Sequence, residues 1–367
     1  MGIGRFVYTP ILPFMGAALD LPPDEAGLIA AANFLGYLAG ALAGAFRALP
    51  GSPRGWFLGA LLASAVTTAA MGSTGSLPLF LVLRFLGGAA SAFVLVFSSA
   101  LILERLADAG RPGLSAVHFA GVGCGIAFSA LLIAALARAG LDWQVMWFAS
   151  GAATLALLAM SARLVPSAPQ AQSGGAPSNA GPSRRMGLDG PLIRLVTAYG
   201  LFGFGYVITA TFVSVMARTT PGLEEAEAVV WLIVGLSAAP SIFVWSAAAR
   251  RFGARRAFAF ACLMEAIGVA MTAATTAPGP FLVGAALLGG TFMGITALGL
   301  TEARSHMSAR KTGDPRQILA IMTASFGLGQ VIGPWFAGEV SSLTGSFTVP
   351  TLAAAAALVV AAGLAWR

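Results

Sequence analysis

Charged residues are few in this sequence. They make up 10% of its 367 residues, whereas a typical soluble domain contains about 25%, and hydrophobic residues make up 57%. A chain of this composition has too little polar surface to be surrounded by water, which excludes an ordinary soluble protein. The composition is instead typical of a protein whose outer surface faces lipid.

Cysteine and histidine are also scarce, and the sequence motifs of enzymes are missing. The two cysteines, Cys124 and Cys262, each lie inside an apolar run, which gives neither a disulfide framework nor a metal-ligand spacing. The chain has no phosphate loop of the Walker type and no nucleophile beside a base. Its Gly-x-Gly pairs lie inside apolar runs rather than at strand-to-helix turns. We therefore expect no enzyme activity, no metal and no cofactor.

Long apolar runs dominate the sequence instead. A membrane-spanning helix needs about 20 apolar residues, whereas the strands of a membrane barrel are shorter and alternate. Residues 1–19 have the same apolar character but form a shorter segment, so we predict twelve spans with an incomplete first one. The other eleven runs cover residues 26–46, 55–72, 77–103, 112–137, 143–162, 195–217, 228–249, 257–276, 279–301, 317–338 and 347–366.

The basic residues give the predicted orientation. The formal net charge is +7, but most bases sit at the ends of apolar runs, which favours membrane topology over nucleic-acid binding. Alternate loops hold Arg138 and Arg218 only, and Arg5 and Arg84 fall within spans. The positive-inside rule therefore places the richer set of loops, and both chain ends, in the cytoplasm. That set contains the other seventeen bases: Arg47, Arg54, Arg105, Arg111, Arg163, Arg184, Arg185, Arg194, Arg250, Arg251, Arg255, Arg256, Arg304, Arg310, Lys311, Arg316 and Arg367.

The two halves of the sequence repeat each other. Residues 2–15 align with residues 203–216 at an offset of 201, and the segments around Gly88 and Gly289 align at the same offset. Between the halves, residues 163–189 are rich in Pro, Gly and Ser and predict a flexible cytoplasmic linker. We therefore predict an N-terminal six-helix bundle at 1–162 and a C-terminal bundle at 190–367. Six spans per repeat give two parallel repeats, as in one large class of secondary transporters.

The alignment of the two halves also shows that the first span is shorter than its counterpart, the seventh. The seventh span has about ten more apolar residues before Gly203, whereas the first has no counterpart before Met1. From Arg5 to Asp20 a helix is only about 22 Å long, against a hydrocarbon core of about 30 Å. We expect the chain to start inside its first helix, through a misplaced start codon or a truncation.

Six segments of the sequence are distinctive: GIGRFVYTPILPFM at 2–15, RFLGGAASAFVLVFSSALIL at 84–103, HFAGVGCGIAFSALL at 118–132, YGLFGFGYVITATF at 199–212, GGTFMGITALGLTEAR at 289–304 and MTASFGLGQVIGP at 322–334. In these segments the chain resembles the major facilitator superfamily, and within it the bacterial YbfB/YjiJ-type group. The resemblance implies an all-α fold of two six-helix bundles in a bacterial inner membrane, alternating access, a small-molecule substrate, contact with membrane lipid and a monomer. The loop motif after the second helix is incomplete, because Gly44-Ala-Phe-Arg47 lacks the usual Asp.

Polar residues within spans are the candidate site. A charge in the bilayer is costly and normally faces a cavity or a partner. Arg5 and Arg84 therefore either bind solute or are held by helix carbonyls and by Tyr and Asn side chains. The resemblance places further polar and aromatic side chains near them, for which helix packing is the alternative role. These are Tyr8, Thr9, Asn33 and Tyr37 in the first half, and Tyr206, Thr209, Trp231 and Gln330 in the second.

Three titratable groups are candidates for carrying a proton. His118 and Glu302 lie near the predicted cytoplasmic ends of the fifth and tenth helices, where packing and solvation are the alternative roles. Glu265 lies in the middle of the ninth helix, and for it we expect a hydrogen bond to a neighbour.

The predicted function is secondary active transport of a small organic solute, coupled to an ion or proton. Two core arginines without an acid nearby favour a carboxylate or phosphate, because a guanidinium binds these groups through two parallel hydrogen bonds. Two alternatives remain open at this point. One is the efflux of hydrophobic or cationic compounds, and the other is a transporter-like receptor or scaffold.

Overall fold

The described part of the chain is helical throughout. The computed structural model describes residues 1–44, 49–111, 114–165, 189–310 and 315–366, and within these ranges it contains α-helices and a short 3₁₀ turn but no strand. The helices are α1 (Gly2–Phe6), α2 (Tyr8–Leu19), α3 (Pro23–Gly44), α4 (Pro53–Ala70), α5 (Leu77–Asp108), α6 (Ser115–Arg138), α7 (Trp143–Leu164), α8 (Gly190–Thr219), α9 (Glu224–Phe252), α10 (Ala254–Ala274), α11 (Pro278–Arg310), α12 (Pro315–Thr344) and α13 (Thr348–Trp366).

Each of the eleven predicted runs forms one helix. Helices α3 to α13 are all long and apolar enough to cross a membrane, which confirms that part of the prediction. Several extend beyond their apolar run, and α11 reaches Arg310. Hydropathy marks only the hydrocarbon depth, whereas a helix continues wherever its backbone hydrogen bonds can be completed. The shorter first apolar segment, residues 1–19, forms α1 and α2.

Turn chemistry sets several helix ends. Asp189 precedes α8, and its Oδ1 accepts a hydrogen bond from the Leu192 N–H, while Pro191 stands in the first turn. A single residue, Gly253, separates α9 from α10, and its φ of 85° is the left-handed conformation that favours glycine. This tight turn lies between Arg251 and Arg255, and we call this end of the molecule the basic end. The end where α8 meets α9 is the opposite end.

The structure contains the sequence repeat. Gly88 on α5 packs directly on the Asn33 carbonyl of α3, and Gly289 on α11 packs in the same way on the Val234 carbonyl of α9. The two glycines are 201 residues apart, and so are their partners. At both places a Cβ atom would collide with the carbonyl oxygen, so glycine is what allows this close helix approach.

Equivalent contacts also join the two halves. In α6, Gly123 packs on Ala239 of α9, and in α12 Gly327 packs on Leu38 of α3. The partners Leu38 and Ala239 correspond at the repeat offset of 201. The first spans of each half meet where Thr9 Oγ1 donates to the Ala210 carbonyl at 2.7 Å. Each half thus offers the same surface to the other, as expected for parallel repeats around a two-fold axis.

The fold is therefore an all-α membrane bundle built from two six-helix repeats. The boundaries predicted for the two bundles stay a prediction, because the greater part of the predicted linker, residues 166–188, lies outside the described residues. The predicted bases Arg47, Arg184, Arg185, Lys311 and Arg367 also lie outside them.

Candidate solute-binding site between the two halves

Arg5 is placed by a break in the first span. Helix α1 ends at Phe6, and α2 begins at Tyr8 after a single residue, Val7. Pro10 follows within one turn, and its ring can neither donate a hydrogen bond to the Phe6 carbonyl nor pack closely against it. The break therefore follows from the local sequence, and Arg5 stands on the last turn of the short α1.

The Arg5 guanidinium is buried without an acidic partner. The residue is 4% exposed, and its Nε and Nη2 atoms have no hydrogen-bond partner. Its Cζ atom lies 3.9 Å from the centre of the Tyr37 ring and 5.0 Å from that of Phe34. Within the described ranges no carboxylate is paired with it. Cation–π contacts hold the side chain in place but leave its hydrogen-bonding capacity free.

Aromatic residues of the second half face Arg5. Phe6 bridges the two halves, with its ring centre 6.4 Å from that of Trp231 and 6.3 Å from that of Phe292. Tyr206 lies almost parallel to Phe292, with 5.6 Å between ring centres, and its hydroxyl accepts a hydrogen bond from the Gln330 amide. The Arg5 Cζ atom lies 5.2 Å from the centre of the Phe6 ring, so Phe6 and Phe292 connect the guanidinium to Tyr206. We call this set the central cluster: Arg5, Phe6, Tyr37, Tyr206, Trp231, Phe292 and Gln330.

The central cluster contains several polar atoms without a partner. Besides the two guanidinium nitrogens, Gln330 Oε1 and Trp231 Nε1 are buried and make no hydrogen bond. Thr209, one turn beyond Tyr206, is fully buried with an unpartnered hydroxyl. Buried polar groups are nearly always satisfied, so a group of unsatisfied ones at a domain interface needs an explanation. Arg5 and Trp231 thus offer free donors and Gln330 a free acceptor, beside aromatic rings that can cover an apolar surface.

Arg84 belongs to a second group, inside the first half. Its Nη1 and Nη2 atoms donate to the carbonyls of Gly4 and Arg5, both at 3.3 Å, and its Cζ atom lies 4.9 Å from the centre of the Tyr8 ring. A helix leaves its last carbonyls without intrahelical donors, and Arg84 satisfies two of these at the end of α1. These contacts are those of the alternative in which helix carbonyls hold the arginine.

Tyr8 and Asn33 also make contacts within the first half. The Tyr8 hydroxyl donates to the Ala26 carbonyl at 2.9 Å, and Asn33 Nδ2 donates to the Arg84 carbonyl at 2.9 Å. Asn33 Oδ1 is buried and unpartnered. The predicted site residues thus fall into two groups. One group belongs to the central cluster, and the other, Arg84, Tyr8 and Asn33, makes contacts within the first half.

Neither predicted proton carrier is near the central cluster. His118 stands on the first turn of α6, half-buried, with Nε2 3.2 Å from Ser99 Oγ. Glu302 lies ten residues after Phe292 on α11, or about 15 Å of helix, towards the basic end. It lines a small pocket there with Arg255 and His306.

Glu265 does not make the hydrogen bond that we expected from the sequence. It is fully buried in α10, and neither carboxyl oxygen has a hydrogen-bond partner, so the predicted hydrogen bond to a neighbour is wrong. The reason is local, because the residues one turn away on its own helix, Ala261, Cys262 and Val269 among them, offer no strong donor.

An ion pair borders the site at the opposite end. The Arg218 guanidinium binds Glu227 through two contacts of 2.6 Å and 2.8 Å, and its Cζ atom lies 4.0 Å from the centre of the Phe14 ring. These residues line a cavity of about 280 Å³ whose wall also includes Trp231. Trp231 therefore belongs both to the central cluster and to the wall of this cavity, and helices of both halves form the lining.

Sequence reasoning missed the phenylalanines of the site. Phe6, Phe34 and Phe292 form much of its wall, but the chain has 24 phenylalanines, and a phenylalanine in an apolar helix carries no distinguishing signal. The alignment of the repeats contained one usable signal, since Tyr206 is the counterpart of Arg5 at the offset of 201.

The fold and this site define a class of protein. Two parallel six-helix repeats enclosing a buried, partly unsatisfied polar cluster are the architecture of a secondary transporter of the major facilitator superfamily. The model of the family described as "Uncharacterised MFS-type transporter YbfB" matches residues 1–366, and the chain belongs to this family. It is therefore a membrane transporter of a small solute and not an enzyme.

Solved structures with the same fold are known. A crystal structure of a point mutant of the nucleoside transporter NupG matches with a TM-score of 0.77 and 15% identity, covering 100% of this chain and 97% of that one. A second NupG structure matches with a TM-score of 0.74 and 14% identity, covering 100% and 96%. At these identities the similarity extends to the fold alone. A search of curated proteins by sequence found no match.

Proposed function

We propose that this transporter moves a small organic anion by alternating access, coupled to protons. The observation that carries the proposal is Arg5, a guanidinium at the junction of the halves that is buried, lacks an acidic partner and has two unpartnered nitrogens. A carboxylate or phosphate bound there would satisfy both nitrogens and neutralise the charge. The rings of Phe6, Tyr206 and Phe292 would cover the apolar body of such a solute.

The composition of the central cluster argues against the main alternative. A site for cationic compounds would be expected to offer a carboxylate, whereas this cluster holds a cation whose aromatic neighbours are already occupied by it. A receptor or scaffold would bind the same anion without moving it, so only a flux measurement separates that alternative. A monomer in lipid, without nucleic-acid partners, stays a prediction.

The test uses the full chain in proteoliposomes with an imposed pH gradient. Radiolabelled benzoate and glutarate represent organic anions, uridine a neutral nucleoside and tetraphenylphosphonium an apolar cation. We expect accumulation or exchange of at least one anion and none of the other two compounds. Transport of the cation alone would contradict the proposal in favour of efflux. Binding of an anion without any flux would contradict it in favour of a receptor.

The proposed orientation places the basic end in the cytoplasm of a bacterial inner membrane. The support is the excess of Arg and Lys at that end. Ser73, exposed between α4 and α5, should then react from outside intact cells as Ser73→Cys in a background with Cys124→Ser. Ser178→Cys in the predicted linker should react only after permeabilisation. The reverse labelling pattern would contradict this orientation.

A further inference from the structure

Glu265 occupies the same layer of the second half as the central cluster. Two turns before it on α10, Phe258 contacts Tyr199 of α8, with 6.5 Å between ring centres. Helices α8 and α10 both run from the basic end, so two turns further along, Glu265 lies level with Tyr206. The carboxyl therefore lies at the depth of Tyr206, which belongs to the central cluster.

Its protonation state in this conformation follows from its surroundings. The residue is fully buried, and neither oxygen has a hydrogen-bond donor. An ionised carboxylate without donor or cation in a membrane-embedded core is strongly disfavoured against the neutral acid. Glu265 therefore carries a proton here. Apolar side chains would fill the same space at lower cost, so retaining an acid needs a reason beyond packing.

Few other titratable groups face Glu265. On its own helix the nearest is Cys262, with Arg255 and Arg256 at the helix start. On α8 the titratable groups are Tyr199 and Tyr206, with Arg194 and Arg218 towards the helix ends. In the described parts of the other helices packed against α10, charges stand at the helix ends: Glu224, Glu225, Glu227, Arg250 and Arg251 on α9, and Glu302, Arg304 and His306 on α11. Among the described residues of α13 there is no charged side chain. A pH response of this layer therefore has one carboxyl as its source.

We propose that Glu265 is the proton-coupling residue of the transporter, protonated while the organic anion is bound at Arg5 and deprotonated after the anion has left. The inference rests on the proposed function, because coupling requires a transported anion. With Glu265 neutral, the charge of Arg5 is available to the solute. With Glu265 ionised, its negative charge at the depth of Tyr206 would weaken the attraction of the site for an anion. Proton and anion thus favour each other's binding, and linkage makes the effect reciprocal.

This coupling predicts symport, in which the proton and the anion cross the membrane in the same direction. A proton from water on one side binds the carboxylate as the anion enters, and both leave together to the other side once the halves have rocked. No oxidant or other reactant is needed. The alternative, exchange of a proton for the anion, would require protonation to weaken anion binding, which is the opposite of the electrostatic effect described above.

The test measures the conformation of the protein without any solute, so it does not depend on the identity of the anion. Spin labels on Ser73→Cys and Ser346→Cys, with Cys124→Ser, report the distance between the halves at the opposite end. Because an ionised carboxylate is disfavoured in this buried layer, deprotonation should favour a conformation in which water reaches Glu265. We therefore expect this distance distribution to shift between about pH 5 and about pH 9, a range that covers strongly perturbed buried carboxyls. Glu265→Gln should abolish the shift and keep the low-pH distribution at every pH, because glutamine resembles the protonated acid.

Two further variants keep the test decisive. Glu302→Gln, the matched control, should shift like the parent protein. Glu265→Asp keeps a carboxyl and should retain the shift with a displaced midpoint, which decides the question if Glu265→Gln does not fold. A pH-dependent shift in Glu265→Gln, an unmoved midpoint in Glu265→Asp, or no shift in the parent protein would each overturn the proposal. Failure of anion transport with a Glu265-dependent shift would instead refute the proposed function alone.

Discussion

Replacing Arg5 by glutamine should raise the anion concentration for half-maximal transport by about 30-fold or more. Removing one partner of a buried charge-assisted contact costs at least roughly 2 kcal/mol, and each 1.4 kcal/mol corresponds to a factor of ten. Arg5→Lys keeps the charge but loses the planar fork, so an intermediate value is expected. The measurement is the concentration dependence of uptake into proteoliposomes by the anion that the transport panel identifies.

The same substitution should not destabilise the protein. Arg5 has unsatisfied nitrogens and no acidic partner, and an unpaired charge in the bilayer is a cost to folding. Its cation–π contact with Tyr37 offsets only part of that cost. We therefore expect an unchanged or higher apparent Tm for Arg5→Gln. Arg105→Gln, at an exposed position near the end of α5, is the control and should change neither quantity. A sharp drop in Tm with unaltered anion affinity would make Arg5 a structural residue.

Hydropathy predicted the architecture well because the bilayer imposes it. Backbone groups in lipid must be paired within a helix, so an apolar run of about 20 residues has a single structural solution. The repeat was also detectable in the sequence, because only glycine fits at a close helix contact. Gly88 and Gly289 make the corresponding close contact in the two halves. Helix number and the pairing of the repeats therefore follow from the sequence.

The sequence did not show which polar residues would join the central cluster and which would make contacts within the first half. Arg5 and Tyr8 are three residues apart, and an unbroken helix would place them near one face. In the structure the two side chains nevertheless make different contacts, since Arg5 stacks on Tyr37 while the Tyr8 hydroxyl donates to the Ala26 carbonyl. Both partners lie on α3, so these contacts depend on how α3 packs against the first span. The unpartnered state of Glu265 likewise depends on which groups the neighbouring helices bring near it.

Arg84→Ala should change Tm in the direction opposite to Arg5→Gln. The guanidinium of Arg84 satisfies the Gly4 and Arg5 carbonyls, and its removal leaves two buried acceptors without donors, at roughly 1–3 kcal/mol each. The end of α1 would lose its support, and Arg5 would no longer be held at its position in the central cluster. We therefore expect both a lower apparent Tm and loss of transport. Arg84→Lys should recover part of the stability, because an ammonium group can still donate to one carbonyl.

A double substitution separates this positioning role from direct contact with the solute. If Arg84 acts through Arg5, adding Arg84→Ala to Arg5→Gln should weaken anion binding little further, whereas independent contacts would give additive losses. The readout is the apparent anion affinity of the two single variants and the double variant, measured well below their unfolding temperatures. Additive losses would assign Arg84 to the binding site itself, and unchanged transport and Tm in Arg84→Ala would remove it from both roles. A guanidinium that supports another guanidinium explains why two arginines without an acid persist side by side in this membrane core, since only the first is available to the solute.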